Sequence, residues 1–187
     1  VLLGRPRGGG VVLKFELAEV EEAFRHFWYT GMIREDWNAW VDLFTEDVVY
    51  DERVLGTMRG RETVRQWIVP LMERYGEIYG VYDWHAADPN GRVVFRMINR
   101  RDHPSGAGAL DFPGVTILQY AGDNQWSSEE DYWAEKLGIE QFQAYEAALE
   151  AYDGDHRNKR TRSDWGSGPE WTIGKRSYWD WPDRRRP

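Results

Sequence analysis

Four stretches with strand periodicity follow one another in the middle of the chain, between residues 78 and 133, and they constrain its fold more than any other feature. After Gly76 the apolar pattern changes from a helical repeat to alternation, which is typical of half-buried strands. The turn sequences at 88–91 (DPNG) and 121–124 (AGDN) separate neighbouring strands as tight hairpin turns do. We therefore predict an antiparallel meander with strands over 78–87, 92–102, 110–120 and 125–133.

The first half carries helical periodicity interrupted by one short β-branched stretch. Gly31 is expected to end the first helix, and Pro70 to kink or shorten the third. The interruption, 47–53, reads as a strand that places Val48, Tyr50 and Glu52 on one face. The predicted helices cover 16–30, 33–44, 61–75 and, after the meander, 137–152.

Two smaller features qualify this pattern. Gly56 and Gly60 are expected to bracket a loop before the third helix, while Pro113 and Gly114 suggest a bulge or a late start in the third long strand.

We divide the chain into a flexible leader (1–15), one domain (16–152) and a C-terminal extension (153–187). The extension is rich in Trp and Arg and has little periodicity, so its Trp residues are expected to dock on the domain or on a neighbouring subunit.

Composition excludes several classes of function. The formal net charge of -8 argues against binding to nucleic acid or to an anionic membrane surface, and no apolar run approaches 18 residues. The chain has no Cys, and its four His are too scattered for a zinc site, so we expect no metal. The leader lacks the apolar centre of a secretion signal, and a cytoplasmic location follows by default.

The strand segment FRMINRRD (95–102) carries a pair of opposite charges. Arg100 and Asp102 are two residues apart, so their side chains share one face of the strand. If that face lines a cavity, the pair is an acid/base device. If it faces solvent, the pair is an ordinary surface ion pair worth under about 1 kcal/mol.

Several segments together resemble a known superfamily. They are WVDLFTEDVVYD (40–51), GRETVRQWI (60–68), VTILQYAGD (115–123) and EDYW (130–133). Their order resembles the nuclear transport factor two-like superfamily, most closely its SnoaL-like branch. The resemblance implies an α+β fold in which a cone-shaped, curved, mixed or antiparallel sheet wraps around three to four helices. That superfamily includes polyketide cyclases, ketosteroid isomerase, scytalone dehydratase and limonene-epoxide hydrolase, as well as members without a catalytic role.

The site positions are most similar to those of limonene-epoxide hydrolase. The resemblance implies Asp131 as base, with Arg100 bridging to Asp102 as acid, and no cofactor. Tyr50 and Glu52 would orient water or substrate, although Glu52 stands where that pattern has Asn. Glu52 also resembles the ketosteroid isomerase base; the alternative is an ion pair at the rim with a nearby Arg (Arg53, Arg59 or Arg61).

Other residues complete the candidate site. His85 is a candidate catalytic residue because SnoaL-like sites often place a His in this sheet, and the alternative is a structural, hydrogen-bonded His. Aromatic residues are 15% of the chain, and such side chains build cores or line pockets for apolar or flat ligands. The candidates for contact with substrate are Trp28, Trp67, Trp84, Trp133 and Tyr132.

The function expected from these observations is cofactor-independent acid/base chemistry on a small apolar organic molecule in an aromatic-lined pocket. Hydration, dehydration, isomerisation and ring closure (cyclisation) all fit. The alternative is a non-catalytic ligand-binding or dimerisation module. The resemblance also implies a homodimer.

Overall fold

The computed structural model describes residues 14–157 and 159–174. Most of the predicted leader and the last part of the C-terminal extension therefore lie outside the described residues. Phe15, which was assigned to the leader, packs its ring 4.9 Å from that of Tyr120, and its backbone N–H donates to the carbonyl of Pro89. Phe15 is therefore part of the packed domain.

Four α-helices surround one side of a sheet. Helix α1 is followed directly by a π-helical turn, Tyr29–Ile33, and two short 3-10 turns, Gly154–His156 and Glu170–Thr172, lie in the C-terminal segment. No helix in the described part of the chain is long and apolar enough to cross a membrane. The helices are α1 (Leu17–Trp28), α2 (Trp37–Val41), α3 (Arg61–Arg74) and α4 (Glu135–Ala151).

Six strands form a single mixed sheet in the order β2-β1-β6-β5-β4-β3. Strand β1 runs parallel to β6, and all other neighbours are antiparallel. This six-stranded mixed sheet with four α-helices confirms the predicted α+β cone-shaped fold. The strands are β1 (Phe44–Glu52), β2 (Gly56–Arg59), β3 (Tyr79–Ala87), β4 (Arg92–Asp102), β5 (Ala109–Gly122) and β6 (Gln125–Trp133).

The prediction for Gly31 was wrong. The helix continues past this residue through the π-helical turn to Ile33. A Cβ atom on Gly31 would lie 2.5 Å from Cδ1 of Trp40, so glycine here allows α2 to pack closely. Helix α2 is also shorter than predicted, because Phe44 already belongs to β1.

Proline and glycine residues that were expected to interrupt regular structure lie within or at the ends of three regular elements. Helix α3 continues beyond Pro70 to Arg74. Strand β5 pairs with β4 without a register shift through Pro113 and Gly114, so the predicted bulge is not formed. The segment between the two glycines at 56 and 60 forms strand β2 along β1 and not a loop. Pairing with neighbouring strands outweighs the local preference in both sheet segments.

The main core lies between α1 and the concave face of the sheet. Phe24, Phe27 and Trp28 of α1 are fully buried and contact Phe95 of β4 and Trp126 of β6. Burial of each such side chain contributes roughly 1.5–3 kcal/mol. This core fills one end of the cone, and the other end is left as a cavity between the sheet, α3 and α4.

Candidate functional site

A cavity of about 330 Å³ lies on the concave side of the sheet. This volume is within the range of small-molecule sites, about 300–1,000 Å³. Helix α3 contributes one wall of the cavity, and Phe142 of α4 forms part of another. The aromatic residues of the wall include Trp37, Trp40, Trp67, Tyr75, Phe95, Phe112 and Trp133.

Three carboxyl groups meet at one end of this cavity because β1 and β6 are paired in parallel. The register places Tyr50 beside Glu129 and Glu52 beside Asp131. Side chains two apart on a strand share a face, so all four point to the concave side. Each of the four is a lining residue of the cavity.

Asp131 is held by two hydroxyl donors. The Tyr50 hydroxyl donates to Oδ2 of Asp131 at 2.5 Å, and the Thr116 hydroxyl donates to Oδ1 at 2.5 Å. Burial raises the pKa of Asp131 above its ordinary value of 3.8, and the two hydroxyl donors limit that rise. The charge of Glu52 raises this pKa further.

Glu129 is buried beside Asp131 and is only 3% exposed. Its Oε2 receives no hydrogen bond from any described residue. Burial, followed by the charge of Asp131, raises the pKa of Glu129 well above 4.5. A hydrogen bond between the two carboxyl groups raises the pKa of Glu129 and lowers that of Asp131. Glu129 is therefore the group that holds a proton, and Asp131 is the ionised partner.

Tyr50 remains neutral at this position. Burial and the neighbouring charges of Asp131 and Glu129 raise the pKa of Tyr50 well above 10.0. Its hydroxyl therefore serves as a hydrogen-bond donor beside both carboxyl groups. Tyr50, predicted to orient water or substrate, lines the cavity and contacts Asp131.

Glu52 lines the cavity, but its oxygens are occupied. Oε1 accepts a hydrogen bond from Nε1 of Trp133 at 2.5 Å, and Oε2 accepts the backbone N–H groups of Val54 and Leu55. The alternative was an ion pair of Glu52 at the rim of the domain. Arg53 does not form it, because Arg53 pairs with Asp51 and Glu130. Glu52 therefore fixes the turn after β1 and orients Trp133.

The predicted Arg100–Asp102 acid/base device is not in the cavity. The two side chains share one face of β4, as predicted, but Met97 and Asn99 of the same strand line the cavity, so Arg100 points to the opposite face. Arg100 binds both carboxylate oxygens of Asp111 at 2.7 and 2.6 Å. The bridging and acid roles expected for Arg100 and Asp102 therefore lack the required contact with Asp131.

Asp102 holds the C-terminal segment against the sheet. Its carboxylate accepts the hydroxyl of Tyr79 at 2.7 Å and the hydroxyl and backbone N–H of Ser163 at 2.6 and 3.0 Å. Burial alone would raise the pKa of Asp102, but hydrogen bonds from Ser163, Thr161 and Tyr79 bring it below 3.8. Trp165 packs on Tyr79 with a ring distance of 5.5 Å.

His85 also lies outside the cavity lining. Its Nε2 is 2.7 Å from a carboxylate oxygen of Glu21, and its Nδ1 is 2.8 Å from the hydroxyl of Tyr82. Its ring packs against Phe24. The strand register shifts between Tyr82 and Trp84, and the contacts of His85 with Glu21 and Phe24 join β3 to α1, which is a structural role.

The predicted aromatic contacts divide into two groups. Trp67, Trp133 and Tyr132 line the cavity. Trp28 is fully buried in the core under α1, and Trp84 is 44% exposed; neither lines the cavity. Helical or strand periodicity shows that a side chain has a buried or exposed face, but it does not distinguish the core end of the cone from the cavity end.

Sequence reasoning missed Glu129 and Thr116. The available signal for Glu129 was its spacing of two residues from Asp131 on a predicted strand. Thr116 becomes part of the site only because β5 and β6 pair with Thr116 opposite Asp131. In the described ranges, no cluster of three or more His, Cys, Asp or Glu side chains is arranged to hold a metal ion.

Comparisons with known proteins agree with this architecture. A family model described as SnoaL-like domain matches residues 23–128, more than half of the chain. No curated protein matches the sequence significantly.

Solved structures share the fold at low sequence identity. A putative SnoaL-like polyketide cyclase from Jannaschia sp. is 17% identical with a TM-score of 0.56, covering 75% of this chain and 99% of its own. A protein from Catenulispora acidiphila with a ketosteroid isomerase-like fold, in complex with trimethylamine, is 20% identical with a TM-score of 0.53, covering 67% and 93%. TerC, co-crystallised with polyporic acid, is 16% identical with a TM-score of 0.54, covering 67% and 98%.

Proposed function

Because the chain belongs to the family of SnoaL-like domains, we propose that its cavity carries out general acid/base catalysis on a small organic molecule. The observation that carries the proposal is the Tyr50–Asp131–Glu129 group at the end of an apolar cavity, in which Tyr50 and Glu129 are buried and Asp131 is partly accessible. Enzymes place ionisable groups with shifted pKa values in such cavities. Proton transfer, leading to isomerisation or ring closure, is the class of reaction that this site supports best.

Each member of the group has a distinct proposed role. Asp131 takes a proton from substrate because two hydroxyl donors favour its ionised form over that of Glu129. Glu129 donates its proton to an oxygen or other basic atom of the substrate. The Tyr50 hydroxyl orients Asp131 and can donate to negative charge that develops on the substrate.

The comparisons support the binding of a small molecule. Related folds were crystallised with trimethylamine and with polyporic acid, and other structures with this fold are described as a putative isomerase and as putative polyketide cyclases. A cytoplasmic location and a homodimeric assembly of this protein stay predictions.

A generic base assay tests the proposal without knowledge of the natural substrate. In 5-nitrobenzisoxazole, a base removes the ring C–H proton while the N–O bond breaks, and the product is a coloured cyanophenolate. The wild-type protein is expected to accelerate this reaction. Asp131→Asn should reduce the rate 100-fold or more, within the range that a positioned base contributes, about 10²–10⁴-fold.

Glu130→Gln is the matched control because this neighbour on β6 points away from the cavity and pairs with Arg53. It should retain the wild-type rate. Circular dichroism and thermal unfolding would establish that each variant is folded. A folded Asp131→Asn protein with undiminished turnover would contradict the proposed role of Asp131.

A further inference from the structure

The polar end of the cavity is lined by acidic groups, and no described lining residue supplies a positive charge. Glu52, Glu129 and Asp131 line it together, whereas the described lining contains no Arg, Lys or His. Glu35 is the remaining acidic residue of the lining, and its carboxylate is bound by Arg160 and Arg162 at 2.7 and 2.5 Å. Asp131 is the ionised member of the Glu129–Asp131 pair, so a positively charged ligand would be stabilised beside it, and the charge of that ligand would also favour the ionised form of Glu129.

Glu129 provides independent evidence that this end accepts a ligand. The residue is 97% buried (3% exposed), it lines the cavity, and its Oε2 receives no hydrogen bond within the described structure. Buried polar atoms in folded proteins nearly always have a partner. A ligand at the end of the cavity would place its positive group beside this oxygen.

Aromatic rings stand next to the carboxyl groups. The ring of Trp67 lies 5.1 Å from that of Tyr50, and Trp133 binds Glu52 through its indole N–H while its ring packs on Phe112. Faces of Trp and Tyr attract cations, and aromatic side chains commonly recognise quaternary ammonium groups in proteins. The remainder of the wall is apolar and suits a hydrocarbon body.

We infer that the cavity binds a small organic cation, an amine or quaternary ammonium group on an apolar body, with the nitrogen beside Glu129 and Asp131 and between Trp67 and Trp133. The inference rests on the proposed function only in that it concerns the same cavity. It specifies the substrate class as cationic, whereas the sequence predicted an apolar molecule.

A pair of matched ligands tests the inference on the wild-type protein. The probes are 4-(trimethylammonio)benzyl alcohol and 4-tert-butylbenzyl alcohol, which have the same shape and differ in one positive charge. Isothermal titration calorimetry at neutral pH is expected to show the cation binding at least tenfold more tightly, about 1.4 kcal/mol. Equal or tighter binding of the neutral alcohol, or no binding of the cation, would overturn the inference.

Variants locate the binding site. The double variant Glu129→Gln/Asp131→Asn should lose most of the preference for the cation, while Glu130→Gln should keep it. A preference that persists in the folded double variant would refute the placement of the cation. The benzisoxazole assay is independent of these titrations, because its substrate is neutral; loss of turnover in Asp131→Asn would support the acid/base function even where the cation failed to bind.

Discussion

Replacement of Glu129 by Gln should change how the stability of the protein depends on pH. Glu129 is 3% exposed, and its folded pKa is well above the ordinary value of 4.5 because of burial and the charge of Asp131. Between pH 4.5 and the folded pKa, the native carboxyl group keeps a proton that the unfolded chain has released. The stability of the wild-type protein therefore falls as pH rises through this interval.

The size of the effect follows from one proton. A difference of one bound proton corresponds to about 1.4 kcal/mol per pH unit. Gln has the size of a protonated Glu and can donate its amide N–H to Asp131, so the variant should resemble the wild type near pH 4.5. Above that pH the variant should gain up to about 1.4 kcal/mol of relative stability per pH unit until the folded pKa is reached.

Urea unfolding followed by Trp fluorescence at a series of pH values from 4.5 to 8 would measure this difference. The titratable groups that face Glu129 are Tyr50 and Asp131, with Glu52 beside Asp131 on β1, and all three remain in the variant. Glu130→Gln removes an exposed carboxyl group from the same strand and should leave the profile of the wild type nearly unchanged. Parallel profiles for Glu129→Gln and the wild type would refute the assignment of the buried proton to Glu129.

Two further predictions concern contacts outside the cavity. Arg101→Ala removes the guanidinium that pairs with the buried carboxylate of Glu77, and it should cost about 3–5 kcal/mol in urea unfolding; a loss below about 1 kcal/mol would contradict this. Asp102→Ala removes the acceptor of two hydrogen bonds from Ser163, one from its hydroxyl and one from its backbone N–H. Each hydrogen bond to a charged acceptor contributes about 1.5–3 kcal/mol. Trypsin should then cleave the C-terminal segment, which contains Arg160 and Arg162, faster than in the wild type, and an unchanged cleavage rate would argue against this anchor.

The sequence predicted the long strands better than the helix ends. The bounds of β4 and β6 agree with the predicted strands, because alternation over nine or more residues specifies both an element and its faces. Gly31 and Pro70 led to wrong predictions of helix ends, because both residue types often end helices. In this fold, close packing on Trp40 and continuation of α3 to Arg74 determined where the helices end.

The candidate site was predicted in part. The resemblance implied that Tyr50, Glu52 and Asp131 belong to one site, and the three residues line one cavity because β1 and β6 are neighbours. Arg100 does not, although its spacing to Asp102 fits the pattern. A shift of one residue on a strand exchanges the two faces of the sheet, so a motif with correct spacing can still point away from a cavity.

The sequence was sufficient to predict the α+β cone fold and the strand meander. Those features depend on local periodicity and on the order of segments along the chain. The face of each strand that lines the cavity, and the position there of the Glu129 oxygen that accepts no hydrogen bond within the described structure, became known from the three-dimensional arrangement. Burial and the pKa of a carboxyl group depend on neighbours from distant strands, whose register is set by packing of the whole sheet.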